Sequence, residues 1–496
     1  MTVEIKIYEK DPLKIQLITE NYQYLKGVYE YFRHKVPNYF HMPQYRAGGW
    51  DGTVSLFNKL SRTIPYGLLF DLLRFHKGLR ANQAETPQLI IDPEVKALFK
   101  GPIIKPKYDL KFAPYDYQKD CIEEALRSTK GIIRSATASG KSLMIAYIAK
   151  SIAESIKDNR TLIIVPTTGL ISQFVEDLTD YGIPKSQIGT VYAKSKQFTK
   201  PIVVSTWQTL ARNHDKLYLY NTVIVDEVHG VKSHELKKIV SKAKGAQYRL
   251  GFTGTMHSGE LDNLNVKSFL GPMLKDYSAG KLAEMGHIAE CTVNVMNIIY
   301  QDHEERFQGD YNDVKEILFH NPYRLRTLTN LVRCLDNTVL LLVGKVEKEG
   351  VVLRDYFRGQ ALDKEVVFLS GKTSTDEERE FWRKEATKRN DLIVIATYGI
   401  FQLGINIPPL KYLVLVSPFK SKIRVLQSIG RALRKHAEKV HGAQIFDIVD
   451  TTKYFEDHGI RRLRHYYSEK FTVREFILNE GDEADVSQVI CQYPQT

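Results

Sequence analysis

Short runs of β-branched and aliphatic residues recur along the chain, separated by helical stretches. GIIRS (131–135), TLIIVP (161–166), PIVVS (201–205), TVIVD (222–226) and YRLGFT (248–253) make one series. TVLLLV (338–343), EVVFLS (365–370), LIVIAT (392–397), YLVLVS (412–417) and AQIFDIVD (443–450) make a second. Their nearly unbroken apolar content predicts parallel strands covered on both faces. Strand–helix alternation builds right-handed βαβ units and doubly wound sheets. The pattern therefore predicts two α/β domains in tandem, hinged near 285–295.

The chain ahead of these series has another rhythm. MTVEIKIYEK alternates as a strand and carries no signal-peptide core. The first 75 residues hold 14 aromatics, and Tyr45-Arg46-Ala47-Gly48-Gly49-Trp50-Asp51-Gly52 contains three glycines. TVSLF (53–57) reads as a strand leaving a tight turn, and residues 66–80 show the 3–4 spacing of an amphipathic helix. This predicts a small α+β module over 1–105 with a proline-punctuated linker near 100–112. The α/β domains then cover 106–288 and 289–455. The remainder, 456–496, is expected to be helical, basic at Arg461, Arg462 and Arg464, and acidic at Glu480, Asp482, Glu483 and Asp485.

Composition narrows the classes. The 496 residues are 43% hydrophobic, which excludes global disorder. No apolar run reaches the ~18 residues of a bilayer span. Cysteines at 121, 291, 334 and 491 form no CxxC pair, which argues against a zinc site or a disulfide framework and fits a reducing cytosol. The net charge of +12 favours a polyanionic partner, although basic charge alone equally fits a solvated face.

Three motifs carry chemistry. Ser135-Ala136-Thr137-Ala138-Ser139-Gly140-Lys141-Ser142 joins a strand to an apolar helix. It reads as a phosphate-binding loop with Ser135 in place of the usual first glycine. Thr137, Ala138, Ser139 and Gly140 would cradle phosphates, Lys141 would reach the β- and γ-phosphates, and Ser142 would hold Mg²⁺. Asp226-Glu227-Val228-His229 ends an apolar strand about 85 residues downstream. Alone, such an acidic pair is usually a cap or turn. Paired with the loop, Asp226 becomes a Mg²⁺ ligand and Glu227 the metal-side base that deprotonates the attacking water. His229 would relay nucleotide state to Gln427 or merely cap the strand. Gln427, Arg431 and Arg434 share one helical face, either as arginine fingers within the chain or as an ordinary basic face.

Taken in order, these motifs resemble the DExH-box helicases of superfamily 2 over about 113–436. Tyr117-Gln118 is similar to the adenine-reading element. Thr167-Thr168 with Gln173, and Thr206-Trp207-Gln208, resemble first-domain strand contacts. Thr253-Gly254-Thr255 stands where Ser-Ala-Thr is commoner and resembles the motif coupling hydrolysis to movement. Ser370-Gly371 and Thr397 resemble second-domain strand contacts. Gly404 and Asn406 resemble ATP contacts, with Asn406 where many relatives carry Asp.

The resemblance implies two tandem RecA-like doubly wound domains after the α+β module, with ATP and Mg²⁺ as cofactors. SATASGKSL, VPTTGL, STWQTL, SKIRVLQSIGRALRKH and the N-terminal GGWDG…IPYGLL narrow it to recombination and repair helicases of bacteriophages. That implies R-loop unwinding, branch migration and fork regression in an infected bacterial cytoplasm. The implied partner is DNA (branched, duplex and single-stranded), with RNA–DNA hybrid a further substrate. The sequence carries no oligomer signal and a monomer is expected, with recombination or single-strand-binding proteins as candidate partners. The rival readings are a duplex translocase without strand separation, an RNA helicase, and a non-catalytic annealing protein. Arg46 and Trp50 in the N-terminal module read as a platform for duplex or a branch point, or, for Trp50, as a small aromatic core.

Overall fold

The two series of apolar runs fold into two parallel sheets in a computed structural model. It describes residues 2–82, 86–193, 195–231, 233–256, 259–301, 303–371, 373–403, 410–417, 425–426, 428–430, 442–482 and 486. The chain divides into two compact units, residues 1–135 with 140–276 and residues 136–139 with 277–496.

In the first unit an eight-stranded sheet runs in the order Ser195–Lys196, Ile188–Tyr192, Ile202–Thr206, Thr161–Val165, Thr222–Val225, Tyr248–Thr253, Lys130–Ser135, Met273–Tyr277. Its central strands are parallel, and their side chains are buried throughout, as the sequence pattern requires. An antiparallel hairpin, Ile188–Tyr192 with Ser195–Lys196, closes one edge.

The N-terminal module is a four-stranded sheet in the order Thr63–Pro65, Lys14–Ile18, Thr2–Ile7, Gln88–Ile91. Helices Tyr22–Tyr31 and Leu69–Asn82 accompany it, and Val28 and Leu72 join Val3, Ile5, Ile15 and Leu17 in its core. A separate two-stranded ribbon pairs Arg33–Lys35 with Thr53–Ser55. The module is fastened to helix Glu260–Leu270 of the same unit. Leu264 enters its core, Tyr66 Oη donates to Phe269 O at 2.6 Å, and Lys267 pairs with the buried Asp71 at 3.0 Å. Gly67 lies so close to Lys267 O that a Cβ there would collide with it.

The second unit holds a seven-stranded, all-parallel sheet. Its order is Glu365–Leu369, Leu392–Thr397, Val339–Val343, Tyr412–Leu415, Ala443–Asp450, Cys291–Ile299, Thr472–Asn479. The expectation of helix from 456 onward holds only through Phe455–Ser468. Thr472–Asn479 is a strand, because its backbone completes the ladder left open by Cys291–Ile299. The division between the units falls at 276/277, ahead of the expected hinge near 285–295. Helix Ala279–Glu284 already belongs to the second unit, where Gly280 N donates to Glu469 O at 2.9 Å. No described helix is long and apolar enough to cross a membrane.

Candidate active site

The phosphate-loop motif lies where its sequence placed it, between strand Lys130–Ser135 and helix Lys141–Ser155. Ser135, the departure from consensus, is not among the positive-φ residues, so the usual glycine is dispensable there. The left-handed positions are Ala138 (φ 69°) and Gly140 (φ 72°). Gly140 is doubly required, since a Cβ at this position would sit 2.5 Å from Gln118 Nε2. Gln118 thus abuts the loop, with its Oε1 accepting from Tyr115 N at 2.9 Å in a capping box. Tyr117 is buried, and its ring stacks at 6.1 Å on Tyr115, which is exposed. Thr137 and Ser139 lie in the loop, with Ser139 buried.

Lys141, first in its helix, reaches in two directions. Its Nζ donates to Ser135 O at 3.2 Å and faces Glu227 Oε1 at 3.5 Å. The Ser142 hydroxyl pairs with Tyr181 Oη at 2.7 Å. Tyr181 is held at the C-cap of helix Thr168–Asp180, and no motif marked it.

The two carboxylates after strand Thr222–Val225 have different surroundings. Asp226 Oδ1 is buried without a hydrogen-bond partner in the structure. Burial first, and then the Glu227 charge, push the Asp226 carboxyl up to about 7 against the pull of Lys141. A buried carboxylate oxygen without a donor suits a hard cation, so Asp226 fits as a Mg²⁺ ligand. Burial would raise Glu227 as well. The Lys141 ammonium, His229 and the Gly254 N–H outweigh it and hold Glu227 below the usual carboxylate value. The environments push the pair apart, which leaves Glu227 anionic and competent as a base. Glu227 occupies the left-handed region (φ 48°), a conformation uncommon outside glycine and often found at functional sites.

The coupling motif meets the acidic motif directly. Glu227 Oε2 accepts from Gly254 N at 3.4 Å and lies 3.4 Å from Thr253 Oγ1. His229 Nδ1 lies 2.7 Å from Thr253 Oγ1 and 3.3 Å from Glu227 Oε2. Thr253 Oγ1 donates to Thr255 O at 2.7 Å and accepts from Thr255 N at 3.3 Å. A hydroxyl has one proton to give. With that proton on Thr255 O, Nδ1 of His229 carries the hydrogen shared with Thr253.

A cavity of about 470 Å³ gathers the first-unit strand motifs. Thr167, Thr168, Thr206 and Gln208 line it. Thr167 is the N-cap of its helix, and its Oγ1 is buried with no hydrogen-bond partner in the structure. Thr206 caps helix Trp207–Arg212. Tyr192, Lys196 and Arg212 complete the wall, and sequence patterns had not singled them out. Two expected contacts lie elsewhere. Gln173 is exposed on the same helix as Thr168 but outside the cavity lining, and Trp207 packs against the hydrophobic core.

In the second unit, Ser370 and Thr397 follow or end adjacent parallel strands, Leu369 being in register with Ala396. Ser370 Oγ pairs with Thr373 Oγ1 at 2.7 Å, and Gly371 follows against Ile400. Gly404, Asn406, Gln427, Arg431 and Arg434 lie outside the described residues. In the N-terminal module Trp50 is half-buried, with Nε1 donating to Thr53 O at 2.7 Å. Arg46 is exposed.

Residues 111–258 match the family described as type III restriction enzyme, res subunit. The ATP-dependent DNA helicase uvsW of Enterobacteria phage T4 is 26% identical across 95% of this chain and 98% of its own length. The chain is thus similar, over nearly its whole length, to an ATP-dependent DNA helicase. The DNA 3'-5' translocase XPB2 of Sulfurisphaera tokodaii is 25% identical over 79% of this chain and 99% of that protein. S. cerevisiae Dbp5, solved with RNA and ADP BeF3, superposes with a TM-score of 0.51 at 12% identity, covering 77% of this chain and 93% of that one. It shares the fold: two RecA-like units, here preceded by the α+β module.

Proposed function

We propose that this chain is an ATP-dependent DNA helicase that remodels branched nucleic acids by R-loop unwinding, branch migration and fork regression. The observation carrying this reading is the cluster Lys141–Glu227–Gly254 with Thr253 and His229, in which the phosphate lysine, the base and the coupling motif share one set of contacts.

Lys141 would leave Ser135 O for the β- and γ-phosphates, and Ser142 with Asp226 would hold Mg²⁺. When bound, the metal neutralises charge on the phosphates. Glu227, held as the anion by Lys141, takes the proton of the attacking water. As the proton arrives, Glu227 stops attracting His229 and Lys141. Thr253, bonded to His229, transmits that change to Thr255. Gln427, Arg431 and Arg434 support the same reading through their spacing, as groups that stabilise transferring charge. Tyr117, Gln118, Gly404 and Asn406 are assigned to the nucleotide.

The strand would lie along the cavity walled by Thr167, Thr168, Thr206 and Gln208, with Ser370, Gly371 and Thr397 serving in the second unit. Hydroxyls and backbone amides grip phosphates without reading bases, so binding is sequence-independent and salt-sensitive. The N-terminal module, with Arg46, is assigned to duplex DNA near a branch.

The test is ATP hydrolysis with single-stranded, duplex and four-way-junction DNA, alongside strand separation on flayed DNA and RNA–DNA hybrid at matched salt. Hydrolysis stimulated by DNA with separation of branched substrates is the expected result. Absence of hydrolysis with every polynucleotide would overturn the reading. The name of the XPB2 relative favours one alternative, translocation along duplex without strand separation. Hydrolysis without separation on any substrate would select it.

A further inference from the structure

The ribbon Arg33–Lys35 with Thr53–Ser55 carries a 17-residue excursion at its end. Residues 40–49 are all exposed, yet they are ordered by their own contacts. A 3-10 turn (Tyr39–His41) and a short helix (Pro43–Arg46) fold it. Arg46 N donates to Met42 O at 3.1 Å and Gly49 N to Gln44 O at 3.1 Å. The Tyr39 and Tyr45 rings meet edge-on at 4.8 Å, and Arg46 Nε donates to Phe40 O at 3.3 Å. Gly52, at φ +79°, lets the returning chain pass against the Tyr39 ring. Trp50 braces the base through Thr53 O.

This built tip presents Phe40 at 51% exposure, with Met42 and Tyr45 at 37% each. Ordered apolar surface of this kind marks a contact site. The charge around it selects the partner. Residues 33–62 contain Arg33, Lys35, Arg46, Lys59 and Arg62 against one acid, Asp51, and Asp51 is already paired with Arg33 and accepts from Thr53 N. Lys35 lies over the Tyr39 ring at 4.9 Å. Rings flanked by unopposed cations suit bases attached to phosphates.

We propose that Phe40 and Tyr45 form a stacking platform for unpaired bases where a DNA duplex branches, with Arg46 and Lys35 on the adjoining phosphates. This rests on the DNA-remodelling function proposed above and moves the aromatic role from Trp50 to the two exposed rings. Unpaired bases offer faces for stacking, whereas those within a blunt duplex are covered by their neighbours.

The test uses the full chain without ATP and forked DNA carrying 2-aminopurine at the first unpaired position. The wild type is expected to change the probe's fluorescence and to prefer the fork over blunt duplex. The double variant Phe40→Ala/Tyr45→Ala should lose the fluorescence change and about tenfold of that preference, the scale of a lost base stack. The variant Phe40→Trp/Tyr45→Trp should retain both. Circular dichroism should match the wild type, and the Trp pair, which keeps a ring against Tyr39, separates loss of stacking from loss of the tip's own packing. An unchanged fork preference overturns the proposal, as does an equal loss on fork, blunt duplex and single strand. Loss of a protein contact with DNA binding intact would assign the tip to a protein partner instead. A wild type that hydrolyses no ATP with DNA, yet still shows the probe change, would sink the helicase reading and spare this one.

Discussion

His229 Nδ1 lies 2.7 Å from Thr253 Oγ1, joining the end of the acidic motif to the start of the coupling motif. Thr253→Val keeps the shape and removes both the acceptor for His229 and the donor to Thr255. A buried hydrogen bond lost this way costs roughly 1–3 kcal/mol, or about 5–150-fold. Strand separation should fall by that factor while ATP affinity holds, so more ATP is consumed per base pair opened. Paired ATPase and unwinding measurements on one preparation give the ratio. An unchanged ratio would remove Thr253 from the coupling path.

Lys141→Ala and Glu227→Gln should each reduce ATP turnover by about 10³-fold or more with the fold intact. Glu227→Gln should still bind nucleotide, because the amide keeps the shape of the carboxylate. Wild-type hydrolysis by Glu227→Gln would show that another group takes the proton. Arg431→Ala and Arg434→Ala should keep nucleotide affinity and lose turnover, measured by nucleotide titration and phosphate release.

Lys196 and Arg212 share the cavity wall with Thr167 and Gln208. If they neutralise phosphates, Lys196→Ala and Arg212→Ala should each weaken single-strand binding equally for all sequences. Each should also reduce the slope of log K against log salt by about 1. A salt titration by fluorescence anisotropy reads both. An unaltered slope would take that side chain off the strand.

Lys130 gives the first unit a pH signature. Its ammonium is buried where the N-terminal module meets the first sheet, donating to Leu98 O. Burial first, then the nearby Arg249, bring its pKa down from 10.5 to about 7. Between those values the unfolded chain holds a proton that the folded chain has released, so this residue makes stability rise with pH. The slope is about 1.4 kcal/mol per pH unit across that window. Below about 7 both states are protonated and the burial cost is fully present. Lys130→Met should flatten this rise, read as the difference between wild-type and variant unfolding curves from pH 7 to 10. Parallel curves would show that Lys130 remains charged in the fold.

Much of this architecture was legible because buried parallel strands must be apolar on both faces. Thr161–Val165, Thr222–Val225 and Leu392–Thr397 announce themselves for that reason. Cys291–Ile299 did not, since Asn294 interrupts it. That side chain is tolerated in the core because its Nδ2 donates to Gln444 Oε1 at 3.2 Å, a partner supplied by a strand 150 residues away. Thr472–Asn479 was hidden by Arg474 and Glu475, which a strand at the sheet's edge can leave partly in solvent.

The candidate site divides along the same line. Lys141, Ser142, Asp226 and Glu227 sit in contiguous motifs whose chemistry can be read locally. Tyr181, Tyr192 and Arg212 are single residues that helix caps and strand ends carry to the site, and only the folded chain brings them there.

Gly67, Tyr66 and Asp71 fasten the N-terminal module onto helix Glu260–Leu270 within one compact unit. A plough bolted to its tractor needs no steering of its own. If that unit advances along a strand as proposed, the module it carries would advance with it, and the place where a duplex parts would be set by the stride of the motor.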